Sequence, residues 1–312
     1  MAIAATTAPP TTGAPPPARR RTGSGLVAAL PWIGPSLALI AGIVLFPAGY
    51  MIWTSTRDLS EYGEDRGSAG LQNFVTLFAK EDLARILVNT VVWVVAVVLI
   101  TLVLSLALAQ FLSKDFPGRK LVRLAILVPW AASVVMTTTI FYYMLDPDVG
   151  IANRFLVDIG LLDTGYGFTK QPVQAFWVAV VVAVFVSIPF TTYTILAGLQ
   201  SIPAEVVEAS AVDGANPWQR YRYVILPQLR SAIAVATIIN IINSFNSLPI
   251  LKVLTGSIAG YQADTTTTLT FKLIQGFEID TAAAMSVLNF AIIVVVIAIY
   301  VVAVKPMASV DR

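Results

Sequence analysis

The sequence predicts an all-α, polytopic membrane protein with six transmembrane helices, and three observations carry that prediction. The 312 residues are 57% hydrophobic and only 12% charged, with a mean hydropathy of +0.78. A soluble domain carries roughly twice that share of charge. Six apolar stretches, residues 30–53, 86–112, 121–145, 175–199, 229–251 and 282–304, each reach the ~20 residues that cross a bilayer core. Basic and acidic residues then segregate into alternate loops between them.

Each element has its own justification. Residues 1–25 are rich in Pro, Thr and Ala, carry Arg19, Arg20 and Arg21 towards their end, and are followed by an apolar run from Leu26. Such a segment has little apolar area to bury and is expected to be a disordered cytoplasmic tail, followed by a transmembrane domain over residues 26–308. The first apolar run is too long for a cleaved leader and no small-x-small site closes it, so it reads as an uncleaved first helix. Residues 54–85 form a polar, acidic loop, and 86–112 is an almost unbroken Val/Ile/Leu/Ala run. Residues 113–122 make a basic turn. Pro129 and Pro189 are expected to kink the third and fourth helices. Gly150, Gly160, Gly165 and Gly167 mark turns in the loop between those helices. The fifth run is interrupted by Asn240, Asn243, Ser244 and Asn246, and a threonine run, Thr265 to Thr268, lies in the loop that follows.

Charge sets the orientation. With the N-terminus inside, the inner segments hold Arg19, Arg20, Arg21, Lys114, Arg119, Lys120, Arg123, Arg220, Arg222, Arg230, Lys305 and Arg312, against the acids Asp115, Glu205, Glu208, Asp213 and Asp311. The outer segments carry the acidic excess. Positive residues stay on the cytoplasmic side, which predicts both termini in the cytoplasm. The net charge of +2 sums two opposite biases and implies no nucleic-acid partner.

Composition also excludes chemistry. The chain has no His and no Cys, so disulfides, His- or Cys-ligated metals and catalytic groups of either type are ruled out. No Gly-x-x-x-x-Gly-Lys-Ser/Thr phosphate loop occurs, so any ATP hydrolysis belongs to another subunit. No carboxylate lies inside the apolar stretches, where Arg123 and Arg230 stand only near inner ends. An ion-coupled carrier usually keeps a charged group in the membrane, and it is carried here as the alternative reading.

Two groups of polar residues are candidate sites. Within residues 200–230, a short helix over 204–212 is expected to end at Asp213-Gly214, since Gly readily takes the left-handed conformation that closes a helix. Asn216-Pro217 then starts a second helix with Pro in its first turn. In the fifth run, Asn240, Asn243 and Asn246 with Ser247 recur at three- and four-residue steps and share a face. Amides beside an aromatic ring such as Phe245 suit sugar hydroxyls and sugar C–H faces. The competing reading is packing glue between membrane helices. Trp130, Ser133, Thr137 and Tyr193 are further pathway candidates.

The polar segment resembles the "EAA" signature of ATP-binding-cassette importer permeases. Glu208, Ala209 and Ser210 are followed by Gly214 and then by Val224, Leu226 and Pro227, with Ser and Val standing for the usual Ala and Ile. Gly70-Leu71-x-Asn73-Phe74, Asn89-Thr90, Phe116-x-Gly118-Arg119, Leu196-Ala197-Gly198-Leu199 and Val253-Leu254-Thr255-Gly256 are similar to landmarks of the carbohydrate, maltose-type permeases. Where these permeases often follow Leu-Thr-Gly with Gly-Gly-Pro, this chain has Ser257-Ile258-Ala259-Gly260. The resemblance implies a type I importer permease fold in the cytoplasmic membrane of a prokaryote. It makes Glu205, Glu208, Ala209, Asp213, Gly214, Arg220 and Pro227 an ATPase-coupling loop. It further implies a second homologous permease, two copies of an ATPase that bind ATP-Mg, an extracytoplasmic substrate-binding protein, and contact with membrane lipid. The chain itself is expected to hold no cofactor and to be no enzyme. An importer of a non-carbohydrate solute is the alternative within the family.

Overall fold

A computed structural model of the chain describes residues 25–256 and 260–304. The expectations for the N-terminal tail and for Ser257-Ile258-Ala259 therefore lie outside the described residues. The chain divides into a unit up to Tyr50 and a unit from Met51 onward. The described residues of the first unit are helical: α1 (Gly25–Leu39) runs through a π-helical turn, Ile40–Leu45, into α2 (Phe46–Thr54), which continues past the division.

In the second unit an antiparallel hairpin, β1 (Arg57–Leu59) and β2 (Asp65–Ser68), precedes α3 (Gln72–Phe78). The chain is mostly helical, and this short hairpin, which the Arg57–Asp65 ion pair clasps at 2.7 Å, is an addition to that architecture. Asn73 donates from Nδ2 to the carbonyls of Ser55 and Arg57, tying α3 to the hairpin. The long helix α4 (Leu83–Ser113) follows, then α5 (Arg119–Ala131), α6 (Val134–Met144), α7 (Ile151–Asp158) and α8 (Pro172–Gln200). Next come α9 (Ala204–Val212), α10 (Pro217–Arg220), a π-helical turn Tyr221–Ile225, and α11 (Leu226–Gln228). The chain ends in α12 (Arg230–Phe245), α13 (Leu248–Thr255), α14 (Thr266–Gln275) and α15 (Ile279–Val304).

The described residues confirm a mostly helical, multi-pass chain but do not by themselves give six continuous spans. Four helical runs are long and apolar enough to cross a membrane: Ala29–Thr54, Leu83–Ser113, Pro172–Gln200 and Ile279–Val304. A fifth exists if Pro217–Gln228 and Arg230–Phe245, bent by 67°, count as one. The third stretch is cut between α5 and α6, where Ala132 and Ser133 adopt extended backbone. The fifth stretch stops at Phe245. There the side chains of Asn246 and Ser247 bond back to the carbonyls of Ile242 and Asn243, which competes with the helical ladder. Pro249 then opens α13 without needing a backbone donor.

The core lies between α4, α8, α12 and α13. Trp93 and Val97 of α4, Ala179 and Val180 of α8, Ile241 and Phe245 of α12, and Leu251 and Leu254 of α13 are buried together. Trp93 satisfies its buried indole N–H on the carbonyl of Ser244 at 2.9 Å. A second apolar cluster joins Ala109 and Leu112 to Ile195, Leu196 and Leu229 at the end of the bundle that carries α9. Here α8 and α12 approach so closely that a Cβ on Gly198 would stand 2.6 Å from the Cβ of Ala232. At the opposite end Asn89 donates to the carbonyls of Gln262 and Asp264, and Thr90 accepts from the backbone N–H of Thr266.

Candidate functional site

The segment after α8 is built by local rules. Pro203 precedes α9, and Glu205 sits in its first turn, where a carboxylate complements the helix dipole. At the far end the N–H of Gly214 reaches the carbonyl of Ala211 at 3.1 Å, and the N–H of Ala215 reaches that of Ser210 at 3.1 Å. That pair of bonds is a Schellman closure, which requires left-handed backbone at the glycine; Gly214 has φ +82°. Two residues later Asn216 and Gln219 exchange side-chain-to-backbone bonds, both 2.9 Å, in a capping box that starts α10. The chain therefore makes a rigid helix–turn–helix. Ser210, in place of the usual Ala, is buried and satisfies its hydroxyl on the carbonyl of Val207.

Beyond α10 the backbone widens into the π turn, where the N–H of Leu226 bonds the carbonyl of Tyr221. Pro227 lacks an N–H to continue an α-helical ladder, which accounts for the irregular winding there. The buried Leu229 then takes the 67° bend into α12. Of the candidate coupling residues, Glu205, Glu208, Ala209, Asp213 and Gly214 are exposed, and Arg220 and Pro227 are half-buried. The Nε of Arg220 is buried without a hydrogen-bond partner among the described residues. Sequence reasoning missed Val206, Val212, Trp218 and Tyr223, which stand exposed on the same segment, Val212 by 88% and Trp218 by 70%. Large apolar side chains in an otherwise polar loop were the available signal.

The second candidate group lies on a cavity of about 540 Å³ between α8, α12 and the α5–α6 break. Asn240, Asn243, Asn246 and Ser247 line it from one side, with Trp130, Ser187 and Phe190 among the facing residues. No Asp, Glu, Lys or Arg is among its lining residues. The asparagines differ in what they do. Asn240 is 2% exposed and donates from Nδ2 to the Thr191 hydroxyl and to the Ala236 carbonyl, each at 2.8 Å. It joins α12 to α8. Asn246 is exposed and bonds only its own helix, and Asn243 is exposed too.

The other pathway candidates sit elsewhere. Phe245 is buried in the core, and its carbonyl accepts from the Thr267 hydroxyl. Ser133 precedes α6 and is not a lining residue. Tyr193 donates its hydroxyl to the Arg123 carbonyl, pinning α8 to α5 near the turn into α9. Thr137 is buried away from the lining. Ser187 and Phe190 were missed because α8 is apolar on every side and gives no sign of which face meets the cavity.

Comparison with known proteins gives this geometry a context. The family model for the inner membrane component of binding-protein-dependent transport systems matches residues 101–308. A probable ABC transporter permease protein of Brucella suis biovar 1 is 35% identical over 268 residues, covering 86% of this chain and 93% of the relative. The trehalose transport system permease protein SugA of Mycobacterium tuberculosis is 30% identical over 294 residues, covering 90% and 91%. Among solved structures, a bacterial alginate ABC transporter in complex with an alginate pentasaccharide-bound periplasmic protein superposes with a TM-score of 0.76 at 24% identity, covering 89% of this chain and 93% of that one. At that identity the likeness speaks for the fold.

Proposed function

The chain belongs to the family of inner membrane components of binding-protein-dependent transport systems, and from that premise we propose that it forms half of the translocation pathway of an ATP-driven carbohydrate importer. The coupling segment carries the reading. A turn fixed by a Schellman closure and a capping box holds α9 and α10 as one block, which presents Glu208, Val212 and Trp218 outward. A rigid polar block with exposed apolar side chains is suited to docking another protein. Through Leu229 it is continuous with α12, whose asparagines line the cavity. Movement of the block is thereby transmitted to the pathway wall.

The cavity supports the substrate class. Amides, hydroxyls and the ring of Trp130, with no charged lining residue, suit a neutral sugar, oligosaccharide or polyol. Polar side chains at this depth avoid hydrocarbon, so the cavity is closed by a second, homologous permease. Two ATPase copies bind ATP-Mg on the inner side, and a substrate-binding protein delivers the sugar from outside. Both termini are then cytoplasmic, a placement that the charge distribution supports.

The test is purification of the tagged chain with its associated subunits, followed by ATPase measurement with the co-purifying binding protein and a panel of neutral and acidic saccharides. Stimulation by a neutral saccharide is expected. Stimulation confined to an anionic solute would move the substrate class, and absence of any ATPase subunit would remove the coupling reading.

A further inference from the structure

A second groove, on the far side of α8 from the cavity, has no part in that reading. Val122, Ala125 and Ile126 of α5 and Phe185, Ile188 and Pro189 of α8 enclose about 320 Å³ of apolar space. At 100° per residue, the α8 residues on this groove point about 160° away from those on the cavity, Ala183, Val186, Ser187 and Phe190. On the proposed reading the cavity faces the translocation axis, and this inference rests on that reading in turning the groove toward the surrounding bilayer. Pro189, which has no backbone N–H, stands on the groove in the middle of α8, and the helix runs unbroken through it.

The groove ends in positive charge. Going down α5 from Ile126, Arg119 lies two turns below on nearly the same stripe. Between residues 114 and 123 stand Lys114, Arg119, Lys120 and Arg123 against Asp115 alone, four basic groups and one acid. Arg119 pairs with Asp115 through its terminal nitrogen, and Arg123 donates to the Leu112 carbonyl. Yet the Nε–H groups of both arginines are buried without a partner among the described residues. The chain itself covers those Nε atoms, while both arginines are only half-buried as residues, so an anionic acceptor from outside meets the exposed part of each guanidinium.

We propose that this groove holds one acyl chain of an anionic phospholipid of the inner leaflet, with its phosphate at Arg119 and Arg123. Charge complementarity chooses this occupant over a protein helix: the apolar slot alone would take any hydrocarbon, but the basic rim at the cytoplasmic face selects a negative headgroup. The assignment rests on the cytoplasmic placement of the 113–122 loop and not on the identity of the transported solute.

Native mass spectrometry of the delipidated, assembled transporter, resupplied with dioleoyl phosphatidylglycerol or dioleoyl phosphatidylcholine, tests it. Wild type is expected to retain phosphatidylglycerol preferentially. Ala125→Trp fills the groove from an exposed position and should abolish that retention. Arg119→Gln should weaken it about fivefold, the effect of one basic group near the surface, without changing retention of phosphatidylcholine. The intact mass of the complex reports assembly independently. Equal retention of phosphatidylglycerol by wild type and Ala125→Trp overturns the proposal. So does equal affinity for the two lipids, and so does retention of neither, which would give the groove to a protein segment.

Discussion

Replacing Gly214 separates backbone geometry from side-chain bulk at the turn between α9 and α10. The residue sits at φ +82°, and a Cβ added there meets no atom within 4 Å. Steric contact inside the chain therefore contributes nothing, and the whole cost comes from forcing an L-residue into the left-handed region. That cost is about 1–2 kcal/mol, highest for a β-branched side chain and lowest for Asn, which visits the region far more readily. Since ~1.4 kcal/mol is a factor of ten in a population, Gly214→Ala should reduce the closed turn about tenfold, Gly214→Val by more, and Gly214→Asn least. The assay is binding-protein-stimulated ATPase activity per assembled complex, with ATPase co-purification scored alongside. The expected order of activity is Gly, Asn, Ala, Val. Normal activity in Gly214→Val would refute the argument. An Asn variant as damaged as the Val variant would refute it differently, by showing that bulk against the partner matters and φ does not.

Three further outcomes follow from the same geometry. The chain has no cysteine, so single cysteines at exposed Ser68 and Ser201 report topology directly: an impermeant maleimide should label Ser68→Cys and not Ser201→Cys in intact cells, and reversed labelling would invert the orientation. Asn240→Leu should cost about 0.6–1.7 kcal/mol of stability through its lost interhelical bond and lower the yield of complex. Asn246→Leu should instead reduce transport per assembled complex several-fold, the ~0.5–1.5 kcal/mol of one hydrogen bond to a neutral hydroxyl; the same phenotype in both would erase the distinction between packing and pathway. Gly198→Ala places a methyl 2.6 Å from the Ala232 Cβ and 3.1 Å from Leu229 Cδ2, and should lower the thermal midpoint by the equivalent of about 1–3 kcal/mol of overpacking, whereas an unchanged midpoint would mean that the α8–α12 contact is loose.

What was legible in the sequence was local or long. The α9 boundaries and the turn at Asp213-Gly214 could be read because Gly, Asn and Pro each impose a specific backbone state within a few residues. The long helices α4, α8 and α15 could be read because an apolar run of that length has few other fates. The break at Ala132–Ser133 was hidden, since two small residues in an apolar run look like more helix. Asn246 and Ser247 were noticed as polar interruptions but read as a helical face, when their side chains cap and end the helix. The β1–β2 hairpin escaped because strands of three and four residues, held by Arg57–Asp65, carry no periodicity of their own. The three asparagines looked equivalent in sequence. Only tertiary packing distinguishes Asn240, bonded across to Thr191, from Asn243 and Asn246 on the open cavity wall.

Transport in proteoliposomes reaches the central claim most directly. The purified complex is reconstituted with ATP-Mg enclosed on the side of the Glu208 loop, binding protein and radiolabelled saccharide on the other side, and no ion gradient. Uptake is expected to require ATP and binding protein together, to persist in a protonophore, and to stop with Glu208→Lys in this chain while the vesicles still contain it. Uptake that runs without ATP and collapses in the protonophore would contradict the account.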